Sequence, residues 1–331
     1  MHRIGIVGVV SLVLAVSTPA AVSAANAPGL DPLGTVSEKP VTVRHAVPQR
    51  PLIAVSHRGA AGHAPENTLA GLDAARRFGA QTVEIDVQRT KDGQLVLLHD
   101  TTLTRTTDVE EVFPDRDSRR VADYTLAEVR RLDAGSWFSD DFAGETVPTL
   151  GEALDRMCEL DLNLFLEIKD PGRYPGIEKQ IAVELLRRPF WLEHNPPWEP
   201  RHLVVQSFDW DVVRASKRML PSVPHALLGQ VPAERLPEFS WAHMVNPNHT
   251  AIDADYVDRL HEHGFETMPY TVNSRAAMDT VLRMGVDGFI TDHPDAGGRA
   301  IRDFLGGDDR YGAPDQAAMP LLPAPLVPVP R

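Results

Sequence analysis

Between residues 51 and 303, short apolar β-prone runs alternate with amphipathic helical patterns, and this alternation limits the fold more than any other feature. Strand patterns lie at 52–56, 82–87, 163–168, 202–207, 225–228, 243–246, 266–271 and 288–291. Helical patterns lie near 67–78, 149–160, 176–187, 209–219, 254–263 and 274–284, and the Pro-rich stretch 229–240 has no clear pattern. Strand-crossover-strand repeats over about 250 residues specify an α/β fold, and eight of them fit a (β/α)8 TIM barrel. A doubly wound open sheet fits less well, because no Gly-rich phosphate loop follows the first strand.

One apolar run, 94–99, falls outside this count. It begins too soon after 82–87 for a parallel crossover, so it is expected to fold back as an antiparallel hairpin. With Asp92-Gly93 as a two-residue turn, Asp86 pairs with His99. Glu84 lies two residues from Asp86, on the same face. The hairpin is therefore expected to bring His99 to two carboxylates, and a shift of one residue in register would turn it away.

Barrel active sites form at the C-terminal ends of the strands. The polar residues there are His57 and Arg58 after the first strand, Glu84 and Asp86 on the second, His99 on its hairpin, and Glu167 and Lys169 after the third. Three converging carboxylates repel one another unless a cation joins them, and hard oxygen donors suit Ca2+ or Mg2+. The bland alternative is a set of salt bridges with Lys169 on Glu167. Two histidines titrating near neutrality can serve as proton donor and acceptor. Arg58 and Lys169 supply positive charge for an anion. His63 is a weaker candidate, and His261 and His263 read as helix-end residues that complement the dipole. The single cysteine, Cys158, lies in a helical pattern and reads as a buried core thiol; no intramolecular disulfide is possible.

At the N-terminus, Arg3, the apolar stretch 4–16, Pro19 and small residues at 22–25 read as a signal peptide over 1–25, so a secreted or extracytoplasmic location is expected. Residues 26–50 read as a linker and the Pro-rich 304–331 as a disordered tail. The net charge of −13 disfavours nucleic acid and anionic membranes as partners, and the apolar stretch is too short for stable membrane insertion.

Taken in order, "HRG", "PENT", "VEIDVQRTKDGQLVLLHD", "LDAGSWF", "VPTLGEAL", "LEIKD", "QSFD", "TVN" and "GVDGFITDHPD" resemble the glycerophosphodiester phosphodiesterase family across the whole core. The resemblance implies a TIM barrel with an insertion at 101–148 and hydrolysis of small-molecule glycerophosphodiesters to sn-glycerol 3-phosphate and an alcohol. It also implies a divalent metal on Glu84, Asp86 and Glu167, His57 and His99 as the acid/base pair, and Arg58 and Lys169 on the phosphate. Tyr270 stands where many members carry a Trp that walls the substrate. A related phospholipase D-type barrel acting on lysophospholipid or sphingomyelin shares this centre but usually lacks the insertion. A dead barrel would be expected to have lost a site residue, and a zinc hydrolase would want more histidine ligands.

Overall fold

The computed structural model describes residues 50–306. The signal peptide and nearly all of the linker and tail assigned above lie outside them. Among the described residues eight strands form: β1 Ile53–Ser56, β2 Thr82–Arg89, β3 Leu95–Leu97, β4 Asn163–Ile168, β5 Leu203–Ser207, β6 His225–Leu228, β7 Met244–Asn246 and β8 Gly288–Thr291. Their order is β7-β6-β5-β4-β2-β1-β8, all parallel, with β3 antiparallel on β2. Around them lie α1 Leu69–Arg77, α2 Val109–Val112, α3 Leu126–Val129, α4 Leu150–Glu159, α5 Ile177–Leu186, α6 Trp210–Met219, α7 Ala254–Glu262, α8 Arg275–Met284 and α9 Pro294–Phe304. Thr68, Thr149, Asp209, Asp253 and Ser274 each accept a backbone N–H at the start of the helix they precede, a contribution of about 1 kcal/mol apiece.

Alternation along the strands divides the core. Val83, Ile85, Val87, Leu164, Leu166 and Ile168 pack outward on Leu72, Leu150, Leu154 and Ile181 of the helices. Ile53, Val55, Phe165, Val204, Ala226, Met244, Met268 and Ile290 fill the barrel interior. By the same period of two, Glu84, Asp86 and Glu167 point inward, above that apolar layer.

The expected strand at 266–271 is replaced by a looser segment between β7 and β8. It pairs with β7 through single bridges, Met244 with Glu266 and Asn248 with Tyr270. On the other side Ile290 N–H donates to Pro269 O (2.9 Å) and Val272 N–H to Ile290 O (2.8 Å). These bonds span the gap between the two outer strands. Pro269 has no N–H to give, which interrupts the ladder. The side chain of Asn246 compensates, accepting from Met268 N at 3.0 Å. Helix α9 had no sequence signal because two glycines sit inside it. At Gly297 a Cβ would come within 2.6 Å of the Ala54 Cβ, so glycine is what lets α9 lie against β1 and β8. The helix reaches Phe304, one residue into the assigned tail. Stretch 229–240 holds a 3-10 helix, Ala233–Phe239, with Pro237 inside it. Cys158 is exposed, contrary to expectation: α4 buries Leu150, Ala153, Leu154 and Met157 and turns Cys158 outward.

The hairpin register also differs from expectation by one residue. Val87 pairs with Leu97 and Arg89 with Leu95, and Thr90 N–H donates to Gln94 O at 2.9 Å. The loop thus has three residues, Lys91 to Gly93, closed by Gly93 at φ 82°. Leu98, not His99, donates to Asp86 O (3.1 Å).

His225 on β6 is fully buried, with Nδ1 2.8 Å from Val223 O and Nε2 2.9 Å from Ser216 Oγ. Burial, with Lys217 and His243 adding to it, holds its pKa down from 6.5 to about 4. The unfolded chain therefore binds the extra proton first. The stabilisation is complete above pH 6.5 and is lost as pH falls toward 4, by up to about 3 kcal/mol. Melting curves of wild type and His225→Gln across that window should converge toward acid; parallel curves would refute the assignment.

Candidate active site

The chain leaves β1 through two residues in the left-handed region, Arg58 at φ 52° and, further on, Asn67 at φ 56°. For non-glycine residues this costs about 1–2 kcal/mol each. Local bonds offset it. Arg58 N–H donates to Glu84 Oε2 (3.0 Å), and Asn67 N–H donates to Arg58 O (2.8 Å). Asn67 clasps Asp86 from both sides: Nδ2 donates to Oδ2 (2.8 Å), and Oδ1 accepts from Asp86 N (3.0 Å). This loop locks the side chains of β2.

The β2–β4 register sets Asp86 beside Glu167. Glu84, Asp86 and Glu167 are buried and offer one oxygen each within 4.8 Å of one another. Burial, then Asp86 and Glu167, push Glu84 well above the usual carboxylate range. Glu167 rises to about 7 through burial and the charge on Asp86. Asp86 goes the other way: burial opposes it, but Lys169 and Arg58 hold it ionised. Lys169 Nζ lies 2.9 Å from Glu167 Oε1 and 3.2 Å from Asp86 Oδ1, and Arg58 Nε 3.4 Å from Asp86 Oδ2. The Lys169–Glu167 ion pair weighed in the sequence thus exists, inside the carboxylate cluster. The donor set of three converging buried oxygens fits a hard divalent cation.

Both histidines are oriented by a carboxylate at Nδ1. His57 Nδ1 lies 2.6 Å from Asp292 Oδ1, and Asn273 Nδ2 donates to the other Asp292 oxygen at 2.5 Å. His99 Nδ1 lies 2.7 Å from Asp100 Oδ1. A carboxylate accepting from Nδ1–H leaves Nε2 to exchange protons. The Nε2 of His57 lies 4.0 Å from Glu84 Oε2. Burial lowers the His99 pKa against the opposing pull of Asp86.

His99 reaches this site by a different route from the one expected. Strand β3 ends at Leu97, and the chain bends away from the ladder. Gln88, buried and next on the inward face of β2, shares its Nε2 hydrogens among the carbonyls of Leu98 (2.8 Å), His99 (3.1 Å) and Asp100 (2.6 Å). Its Oε1 accepts from Tyr174 Oη at 2.8 Å. The bend, not strand alternation, brings His99 near Asp86.

Beside Glu167 and Lys169 opens a cleft of about 860 Å3, lined also by Phe208, Trp210 and Phe239. Exposed Phe208 meets Tyr270 edge to face, with centroids 5.7 Å apart, so Tyr270 borders the cleft's aromatic wall. The other histidines stand apart. His63 stacks on Phe78 and bonds Asp295 at 3.0 Å. His261 lies 3.0 Å from Asp287, and His263 Nδ1 2.9 Å from Arg259 O, at the end of α7. Sequence reasoning assigned no role to Asp292, Asn273, Asp100, Asn67, Gln88, Glu66 or Arg105. Several fall inside the quoted motifs, but most of their partners are distant along the chain: Asp292 serves His57, Asn67 serves Asp86, and Arg105 reaches Glu66.

A parallel α/β barrel with two carboxylate-held imidazoles, two cations and a buried oxygen cluster has the groups to hold an anion and move protons beside it, as a hydrolase of charged esters requires. Comparison with known proteins narrows the class. The model of the "Glycerophosphoryl diester phosphodiesterase family" matches residues 57–296, and the chain belongs to that family. It is 33% identical to a glycerophosphodiester phosphodiesterase of Bacillus subtilis (strain 168) over 259 residues, 74% of this chain and 84% of the relative. It is 35% identical over 247 residues to a glycerophosphodiester phosphodiesterase of Caldanaerobacter subterraneus subsp. tengcongensis, 73% of this chain and 95% of that one. Among solved structures, an Oleispira antarctica phosphodiesterase in complex with the product sn-glycerol-3-phosphate superposes with a TM-score of 0.64 at 30% identity, covering 75% of this chain and 96% of that one.

Proposed function

We propose that this chain hydrolyses glycerophosphodiesters to sn-glycerol 3-phosphate and a free alcohol, with His57 and His99 as acid and base and a divalent cation, Ca2+ or Mg2+, on Glu84, Asp86 and Glu167. The observation that carries this reading is the pair of imidazoles, each with Nδ1 on a carboxylate, beside three buried carboxylates. The bound cation supplies positive charge against the phosphoryl oxygens. Arg58 and Lys169, already at the cluster, add charge that attracts the anionic diester and opposes the build-up of negative charge on it. One imidazole takes the proton of the attacking hydroxyl at Nε2 as the new P–O bond forms. The other gives its Nε2 proton to the alkoxide as the old P–O bond breaks. Asp292 and Asp100 hold the two rings in register and stabilise whichever is protonated.

The test is release of glycerol 3-phosphate from glycerophosphocholine by residues 26–331, with lysophosphatidylcholine assayed in parallel. Release from the first supports the reading. Turnover of lysophosphatidylcholine alone would transfer the chain to the phospholipase D-type branch. We further propose export, on the N-terminal pattern of Arg3, 4–16 and 22–25; N-terminal sequencing of the mature protein should start near residue 25, and an intact Met1 would refute it.

A further inference from the structure

We infer that Arg105, carried by the insertion 101–148, is a positioning residue that clamps the two halves of the active site together. Its guanidinium forks in two directions. Toward one side, Nε donates to Asp100 Oδ2 (2.7 Å) and Nη2 to Asp100 Oδ1 (3.0 Å). Toward the other, Nη1 donates to Glu66 Oε2 (2.8 Å) and Nη2 to Glu66 Oε1 (2.7 Å). Each carboxylate then holds a group at the site: Asp100 the Nδ1 of His99 at 2.7 Å, and Glu66 the Nη1 of Arg58 at 3.0 Å. Arg58 in turn lies 3.4 Å from Asp86. One side chain thus joins the loop after β1 to the bend after β3. Planar, bidentate pairing at both ends fixes direction as well as distance, which lysine cannot reproduce. Without Arg105, Glu66 and Asp100 would face water with no common cation, and the aim of His99 and Arg58 would loosen together.

The insertion has its own apolar core, Leu103, Val109, Val121, Tyr124, Val129 and Leu132, which anchors the chain next to Arg105 independently of the clamp. The fold of the insertion should therefore survive loss of the guanidinium. Arg116, by contrast, serves the insertion itself: it bonds Glu128 at 2.6 Å and stacks on Tyr124 at 3.8 Å.

This inference rests on the proposed reaction. Steady-state kinetics on glycerophosphocholine should show Arg105→Ala lowering kcat/KM about 100-fold, the scale of a misaimed reacting group, mostly through kcat. Arg105→Lys should recover part of that loss. The side chain is 43% exposed, so added guanidinium ion should reach the gap and restore activity to Arg105→Ala. Arg116→Ala should lower the melting temperature and leave kcat near wild type. Activity in Arg105→Ala within about threefold of wild type, or a loss that guanidinium does not restore in folded protein, would overturn the clamp. If Arg105→Ala does not fold, Arg105→Lys carries the test, and kcat unchanged there overturns it. A wild type inactive on every diester would instead refute the proposed function.

Discussion

Replacing His57 by alanine is expected to lower kcat about 10²–10⁴-fold while KM and the melting temperature change little. The ring is well placed for proton transfer and poorly placed to hold the fold together. Its Nδ1 is fixed by Asp292, which is fixed by Asn273, and its Nε2 points toward the carboxylate cluster. Stability at this corner comes from backbone instead: His57 N–H donates to Thr291 O at 2.9 Å, and alanine keeps that bond. His99→Ala should behave similarly, since its chain is held by Gln88 through carbonyls. Asp292→Asn should fall between, with the ring present but misoriented. Stopped assays with a coupled glycerol 3-phosphate readout, beside thermal melts, check all three. Activity of His57→Ala within tenfold of wild type would remove His57 from the reaction.

Removal of divalent cation should abolish turnover and lower the melting temperature together. Without a cation, Glu84, Asp86 and Glu167 have Arg58 and Lys169 as their positive partners, and Glu84 and Glu167 resist ionisation. A cation that binds the folded state alone stabilises it by about 2.7 kcal/mol at a hundred times its Kd. For a domain of this size that is a rise of about 5–10 °C. Differential scanning in EDTA, then with Ca2+ or Mg2+ restored, measures this without reference to activity. Asp86→Asn should lose the shift. A melting temperature indifferent to both ions would contradict a cation site here, whatever the assay shows.

How the site could be seen in the sequence follows from what periodicity encodes. Glu84 and Asp86 stand out because a buried strand of period two has no solvent for its charges, so their face must hold something that offsets them. Lys169 follows Glu167 on the same face by the same rule. The resemblance to a known family then supplied roles for residues already singled out. Where expectation failed, local pattern was not the deciding term. Asp-Gly suits a two-residue turn, yet the loop closes with three, and the pairing moved by one. His99 nevertheless lies near Asp86, because Gln88 redirects the chain after Leu97. Helix α9 was hidden by glycines whose value lies in a close approach to β1. Cys158 sits at the edge of a helical stripe, where one residue separates burial from exposure.

What the sequence alone determined was the alternation of most strands and helices, the inward carboxylates and the candidate imidazoles, because these depend on spacing within a few residues. What only the tertiary structure decided was the set of partners that aim them: Asp292 on His57, Arg105 between Asp100 and Glu66, and the carbonyl contacts of the Pro269 segment with β8. His57 with Asp292, Arg105 with Glu66, and Pro269 with Ile290 each join residues from different crossovers. Hydrogen-bond geometry at 2.5–3.0 Å depends on where the closed barrel sets each strand end, and a local sequence pattern does not carry that distance.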